Sequence, residues 1–133
     1  MTDTHSNAVR HYKDGETIVA DGDQGSEMFV IISGAAQAAK LIDGERTILK
    51  RFEAGDFFGE MSLLEGQPRS ADVVAIGNTD VIALGGGGLI NKIRNEPHFA
   101  LEMLKSLSSR LRDTNHRYEN AVLEINNLKK QIR

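Results

Sequence analysis

A glycine, a carboxylate and an arginine lie close together near the middle of this 133-residue chain. Gly59 and Glu60 precede the run 61–64, Met-Ser-Leu-Leu, which is typical of a short helix, and Arg69 follows soon after it. Unpaired backbone N–H groups at the start of a helix attract phosphate, and the arginine fork fits two phosphate oxygens. A carboxylate repels phosphate, so Glu60 favours a ligand that also offers a hydroxyl donor, as a ribose does. Together these residues predict a nucleotide site.

The segment Gly55-Asp56-Phe57-Phe58-Gly59-Glu60, with Pro68-Arg69-Ser70-Ala71 after it, resembles the phosphate-binding cassette of cyclic nucleotide-binding domains. It is most similar to the bacterial catabolite-activator regulators, over roughly residues 10–125. The resemblance implies a mainly β fold with terminal helices. A jelly-roll β-roll with a short cassette helix would occupy residues 1–96, and a long C-terminal dimerisation helix residues 97–133. The alternative is a strand–helix turn that carries an exposed Arg–Glu pair.

The resemblance also implies a role for each residue of the site. The phosphate and ribose would contact Gly59, Glu60, Met61, Ser62, Arg69, Ser70 and Ala71. Within this set, Arg69 and Ser70 would hold the phosphate, and the Glu60 carboxylate would accept from the ribose 2′-hydroxyl. Thr114 and Asn115 would contact the base, with Asn115 in place of the serine of the relatives. The expected ligand is cAMP, while cGMP and a cyclic dinucleotide stay open, and no further cofactor is expected.

The composition argues against several other classes of protein. The chain has no cysteine, which excludes a disulfide framework, a thiolate zinc site and a thiolate-ligated iron–sulfur cluster. Its four histidines, at positions 5, 11, 98 and 116, show no pair at metal-ligand spacing. We therefore predict neither a metal site nor an enzyme. No apolar run approaches the ~20 residues that a membrane span needs, so we expect no membrane segment and a cytoplasmic protein.

The charge is unevenly distributed along the chain. Residues 1–103 hold nine Lys/Arg and 16 Asp/Glu, a balance of −7, whereas residues 104–133 hold seven and three, a balance of +4. A basic terminal helix could contact nucleic acid, or it could simply present a solvated face. Apart from Tyr118, no aromatic residue interleaves the basic positions. We therefore predict no nucleic-acid-binding element in this chain.

The first two-thirds of the sequence reads as short strands that are separated by glycine-containing turns. The strand-like runs are residues 17–19, 28–32, 37–42, 47–52, 71–76 and 81–84. Asp43-Gly44 is the strongest hairpin signal, because both residues tolerate positive φ. Ser33-Gly34 and Gly77-Asn78 are predicted to be turns as well. The one internal helix expected is residues 60–64.

The last third has an uninterrupted heptad pattern. Positions a are Leu104, Leu111, Tyr118, Ile125 and Ile132, and positions d are Leu107, Thr114, Ala121 and Leu128. Isoleucine at a with leucine at d favours a parallel two-stranded coil, in which Glu124 at g could pair with Lys129 at e of a second copy. We therefore predict a homodimer. The alternative is a helix that packs on its own β-roll.

Gly85-Gly86-Gly87-Gly88 departs from the family pattern, and we predict a flexible loop there, either a hinge or a merely tolerated segment. The overall prediction is a cyclic nucleotide sensor that couples binding to repositioning of a dimer helix. Two alternatives stay open. One is a ligand-free dimerisation module, and the other is the sensor half of a DNA-binding regulator whose helix-turn-helix domain is absent.

Overall fold

The computed structural model describes residues 8–132, in six strands and three helices. The strands are β1 (Val9–Tyr12), β2 (Thr17–Val19), β3 (Met28–Ile42), β4 (Glu45–Glu53), β5 (Phe57–Phe58) and β6 (Asp72–Leu84). The helices are α1 (Glu60–Glu65), α2 (Gly86–Asn95) and α3 (Pro97–Gln131). The chain forms two compact units, one up to Lys92 and one from Ile93. The predicted division after residue 96 stays a prediction.

The two long strands, β3 and β6, form the antiparallel centre of the sheet. Two short strands, β1 and β2, follow one another along the outer edge of β6. In the same way β5 and β4 pair with successive parts of β3 on its other edge. All of these pairs are antiparallel, and the predicted jelly-roll with a long C-terminal helix is confirmed.

Both long strands pass through glycines that the sequence predicted to be turns. The register between β3 and β6 shifts from Ser33 opposite Asp80 to Ala35 opposite Ile76. Three residues of β6 therefore face Gly34 alone, which is a bulge that bends and twists the paired strands. The predictions of turns at Ser33-Gly34 and Gly77-Asn78 are wrong, because the sheet hydrogen bonds resume beyond each glycine. β1 and β5 were not predicted.

Gly34 is required at this bulge by its surroundings as well as by its backbone. Its φ of 84° lies in the left-handed region that glycine adopts without strain. A Cβ there would contact the carbonyl oxygen of Asn78 and lie 2.7 Å from Oγ1 of Thr79. The buried Thr79 hydroxyl donates to the Ala35 carbonyl at 2.7 Å and accepts from the Ala35 N–H at 3.3 Å. These bonds join the two long strands where the ladder is interrupted.

The core of the roll is aromatic at one end and small elsewhere. The Phe58 ring stacks on Phe29 at 5.2 Å between centroids and tilts against Phe52 at 5.3 Å. Ile31 and Val81 are also almost fully buried. The Asp43-Gly44 hairpin between β3 and β4 is confirmed, with φ of 53° and 81°. The contacts of Phe58 with Phe29 and Phe52 hold β5 in place, and therefore also the start of α1 directly after it.

The glycine run at 85–88 does not form a loop. Helix α2 begins at Gly86, and the Leu89 N–H donates to the Gly85 carbonyl at 2.8 Å. The prediction of a loop is therefore wrong: Gly88 and Leu89 are buried, and tertiary packing overrides the ~1 kcal/mol that each glycine costs relative to alanine inside a helix. Neither Gly85 nor Gly86 has positive φ, and a Cβ on either would meet nothing within 4 Å.

Helix α3 begins at the predicted Pro97 and runs for 35 residues. From Leu111 to Ile132 every side chain is exposed. Members of the heptad stripe share this exposure, with 62% for Leu111, 71% for Tyr118 and 51% for both Ile125 and Leu128. The second half of the helix thus presents an apolar stripe that its own chain leaves uncovered.

Candidate functional site

Gly59 links β5 to α1 and must be a glycine for two reasons. It is the N-cap residue of α1, and its φ of 83° lies in the left-handed region that glycine adopts without strain. A Cβ on Gly59 would lie 2.9 Å from Nη1 of Arg69 and 3.3 Å from the Glu27 carbonyl oxygen. The resemblance assigned Gly59 to the phosphate and ribose contacts. In the structure the group that approaches it is the guanidinium of Arg69.

Arg69 is the buried cation of the roll, with only 8% of the residue exposed. Its Nη1 donates to the carbonyl oxygens of Glu27 at 2.8 Å and of Gly59 at 3.3 Å. Burial lowers the pKa of Arg69 below its ordinary value, and the negative charge of Glu27 partly opposes this. The guanidinium carbon also lies 5.5 Å from the centroid of the Phe29 ring, within cation–π range.

The other two nitrogens of the guanidinium, Nε and Nη2, make no hydrogen bond within the part of the chain that the structure describes. A cation with three free N–H donors and little exposure is poorly hydrated, and a charge-assisted bidentate contact with an anion would satisfy it. This arrangement suits a phosphate.

Helix α1 ends at a turn that one of its own side chains closes. Ser62 is buried, and its hydroxyl donates to the Gln67 carbonyl at 2.8 Å, closing the turn that follows the C-cap Gly66. The predicted ligand role of Ser62 therefore rests on its N–H. Glu60 lies in the first turn, partly buried, and the Met61 side chain is half exposed. The Leu63 N–H donates to the Gly59 carbonyl at 3.4 Å, which is the first hydrogen bond of the helix.

The last cassette residues lie directly after Arg69. Ser70 is exposed and Ala71 is buried at the start of β6. The structure thus brings Gly59 and Arg69 into contact, with Glu60 and Ser70 adjacent to them in sequence. Thr114 and Asn115 lie on α3, in the other compact unit, and both are exposed. The Thr114 hydroxyl donates to the Arg110 carbonyl one turn earlier, at 2.9 Å.

A cavity of about 340 Å³ opens beside Arg69. Its walls are β2, the loop that follows β2, and the charged pair Arg10–Glu27. In this pair, Nη2 of Arg10 lies 3.2 Å from Oε2 of Glu27. Sequence reasoning missed this loop, because Glu27 is 42 residues from Arg69 and no local motif connects them. The segment Asp21-Gly22-Asp23 in this loop is typical only of a turn.

Three polar side chains elsewhere on the roll have the composition of a catalytic triad but not its order. The Asp80 carboxylate accepts from the Ser33 hydroxyl at 3.3 Å and lies 2.5 Å from Nδ1 of His11. In a working triad the histidine lies between the serine and the carboxylate, so that it can remove the hydroxyl proton. Here the carboxylate is central. Among the described residues, no group of three or more possible metal ligands occurs, and no helix is long and apolar enough to cross a membrane.

Comparison with known proteins agrees with this geometry. Residues 9–96 match the family model of the cyclic nucleotide-binding domain. The cyclic AMP receptor protein of Thermus thermophilus is 33% identical over 105 residues, which are 78% of this chain and 49% of that protein. A cAMP-dependent protein kinase regulatory subunit of Mycosarcoma maydis is 40% identical over 72 residues, 54% of this chain and 14% of that one.

Among solved structures, the Thermus thermophilus catabolite activator protein superposes with a TM-score of 0.74 at 31% identity, covering 85% of this chain and 54% of the other. The fold is an antiparallel β-roll with a long C-terminal helix and an arginine buried beside the short helix α1. The chain belongs to the cyclic nucleotide-binding domain family, and the predicted resemblance is confirmed. It spans about half the length of the bacterial regulators and less than a fifth of the kinase subunit.

Proposed function

We propose that the β-roll binds cAMP and that this chain is a regulatory sensor rather than an enzyme. The observation that carries the proposal is Arg69, whose Nη1 is fixed by the carbonyls of Gly59 and Glu27 while Nε and Nη2 have no acceptor among the described residues. A cyclic phosphate offers two exocyclic oxygens to that free edge. Named relatives that respond to cAMP, in bacteria and in fungi, favour this nucleotide.

In the proposed complex the other cassette residues complete the phosphate and ribose contacts. The Ser70 hydroxyl and the N–H groups of Glu60, Met61 and Ser62 donate to the phosphate, with Ala71 alongside. The Glu60 carboxylate accepts from the ribose 2′-hydroxyl. Thr114 and Asn115 contact the base, and the amide of Asn115 can both donate and accept.

The proposed output is a change in a dimer. A parallel coil of two α3 helices would cover the exposed stripe from Leu104 to Ile132, and ligand binding would reposition this helix. A ligand can shift such an equilibrium only by its differential affinity for the two states. A cytoplasmic location, expected from the sequence, also stays a prediction.

Calorimetric titration with cAMP, cGMP and cyclic di-GMP tests the proposal, with linear 5′-AMP as the control for non-specific phosphate binding. We expect one site per chain, saturated by cAMP at lower concentration than by cGMP, and no saturation by 5′-AMP. A chain that binds none of the three cyclic ligands would instead be the ligand-free dimerisation module. Tighter binding of cGMP or of the dinucleotide would refute cAMP as the ligand.

A further inference from the structure

The loop that joins β2 to β3 holds Arg69 at both its backbone and its side chain. The Arg69 N–H donates to the Asp23 carbonyl, and the Gly22 N–H donates to the Arg69 carbonyl, each at 2.8 Å. A third bond joins Nη1 of Arg69 to the carbonyl of Glu27, at the far end of the same loop. The loop and the arginine therefore form one hydrogen-bonded unit.

Gly25, in the middle of this loop, lies against the guanidinium itself. A Cβ on Gly25 would be 2.5 Å from both Cζ and Nε of Arg69 and closer still to Nη2. Because these three distances are almost equal, the Cβ would lie above the guanidinium plane on its Nε–Nη2 side, the edge that is free for an anion. Gly25 has no positive φ, so its backbone does not require glycine. The space taken by the guanidinium is what excludes a side chain.

Glu27 has a second function besides its carbonyl contact. Its carboxylate is held by Arg10 of β1 through two hydrogen bonds, at 3.2 and 3.4 Å. A free carboxylate beside Arg69 would compete with a phosphate for the cation. Pairing with Arg10 partly neutralises that competitor and leaves the guanidinium edge for an anion.

We infer that Gly25 is a positioning residue for the phosphate contact: because it has no side chain, the Arg69 guanidinium keeps its place and its Nε–Nη2 edge stays open to the ligand. The inference rests on the proposed function, because it takes Arg69 as the group that binds phosphate. Any side chain at position 25 would tilt or displace the guanidinium of Arg69, whose Nη1 is held by two hydrogen bonds. The free edge would then no longer meet two phosphate oxygens at once.

A double-mutant cycle tests the inference, with Gly25→Ala made in the parent and in Arg69→Ala. In the parent, Gly25→Ala should weaken cAMP binding by roughly tenfold or more, the size of a lost hydrogen bond to a charged group. It should also lower the unfolding midpoint. In the Arg69→Ala background the guanidinium is gone, so Gly25→Ala should then cost neither stability nor affinity. The matched control is Gly86→Ala, because Gly86 also has no positive φ and a Cβ on it would meet nothing within 4 Å.

The two readouts separate the inference from the proposed function. If the parent binds cAMP but Gly25→Ala has equal effects in both backgrounds, the positioning role is refuted and the function stands. If the parent binds no cyclic nucleotide but the stability effect depends on Arg69, the packing is supported and the proposed function is refuted. Should Gly25→Ala fail to fold, recovery of folding in the double variant would support the contact, and failure of both would refute it.

Discussion

Arg69 and Gly59 are joined by a hydrogen bond of 3.3 Å from Nη1 to the carbonyl oxygen, and the same oxygen accepts from the Leu63 N–H at 3.4 Å. The arginine is thereby attached to the residue at which α1 begins. Its position and that of the first turn of α1 are not independent, so a phosphate bound to one is aligned with the N–H groups of the other. This link determines which substitutions are informative.

Arg69→Lys should weaken cAMP binding by an order of magnitude or more, although the positive charge is retained. Lysine is a point charge and cannot donate from a planar fork, and a hydrogen bond to a charged group contributes ~1.5–3 kcal/mol. Calorimetry measures the change. Arg51→Lys is the control, because Arg51 is exposed and forms an ion pair with the exposed Glu53. Equal affinity of Arg69→Lys and the parent would contradict the phosphate assignment.

Glu60 should determine whether the site distinguishes a ribose from a deoxyribose. If its carboxylate accepts from the 2′-hydroxyl, the parent should prefer cAMP to 2′-deoxy-cAMP by ~1.5–3 kcal/mol, the contribution of a hydrogen bond to a charged group. In Glu60→Gln this preference should shrink in a competition assay. Glu65→Gln, at the exposed end of the same helix, should keep it. No preference in the parent would remove the ribose role.

The successes and failures of the sequence-based predictions have a common physical cause. The Asp43-Gly44 hairpin, the start of α3 at Pro97 and the cassette around Gly59 are specified by residues that are neighbours in sequence. Gly34 was interpreted as a turn by the same local rule. Its actual role depends on Asn78 and Thr79, which lie on the partner strand, and a local pattern does not contain that information.

The candidate site shows the same division. The sequence supplied Arg69 and the cassette, because those residues lie within one short segment. It did not supply Gly25 or Glu27, which reach the guanidinium only because β2, β3 and β6 are arranged in one sheet. At the glycine run 85–88 the sequence predicted a loop, whereas the structure has the start of α2. Low intrinsic propensity indicated a loop, and the surrounding structure overrode it.

Thr79→Val should destabilise the roll without changing the cassette. The substitution preserves shape but removes both hydrogen bonds between the buried hydroxyl and the Ala35 backbone. Leaving buried polar groups without partners costs ~1–3 kcal/mol, which urea unfolding would detect. Thr79→Ser keeps the hydroxyl and should lose less. If valine is as stable as serine at this position, the two bonds do not stabilise the bulge.

The exposed stripe of α3 should be the seam of a dimer. Ile125→Lys combined with Leu128→Lys would place four like charges in the seam of two copies, and such charges cannot be buried unpaired. Light scattering should then show a monomer, while the β-roll stays folded by circular dichroism. The affinity for cAMP should fall only in part, because the proposed phosphate and ribose contacts lie within one chain.

Two further variants make the test of the seam specific. Asn126→Lys with Asn127→Lys adds the same charge to the same turn at positions b and c, away from the stripe, and should leave the dimer intact. Thr114→Ala should also keep the dimer, because the Thr114 hydroxyl already bonds to the Arg110 carbonyl within its own helix. It should instead reduce the preference for cAMP over cGMP in competition binding, since Thr114 is a proposed base contact. A parent that is monomeric at micromolar concentration would refute the seam.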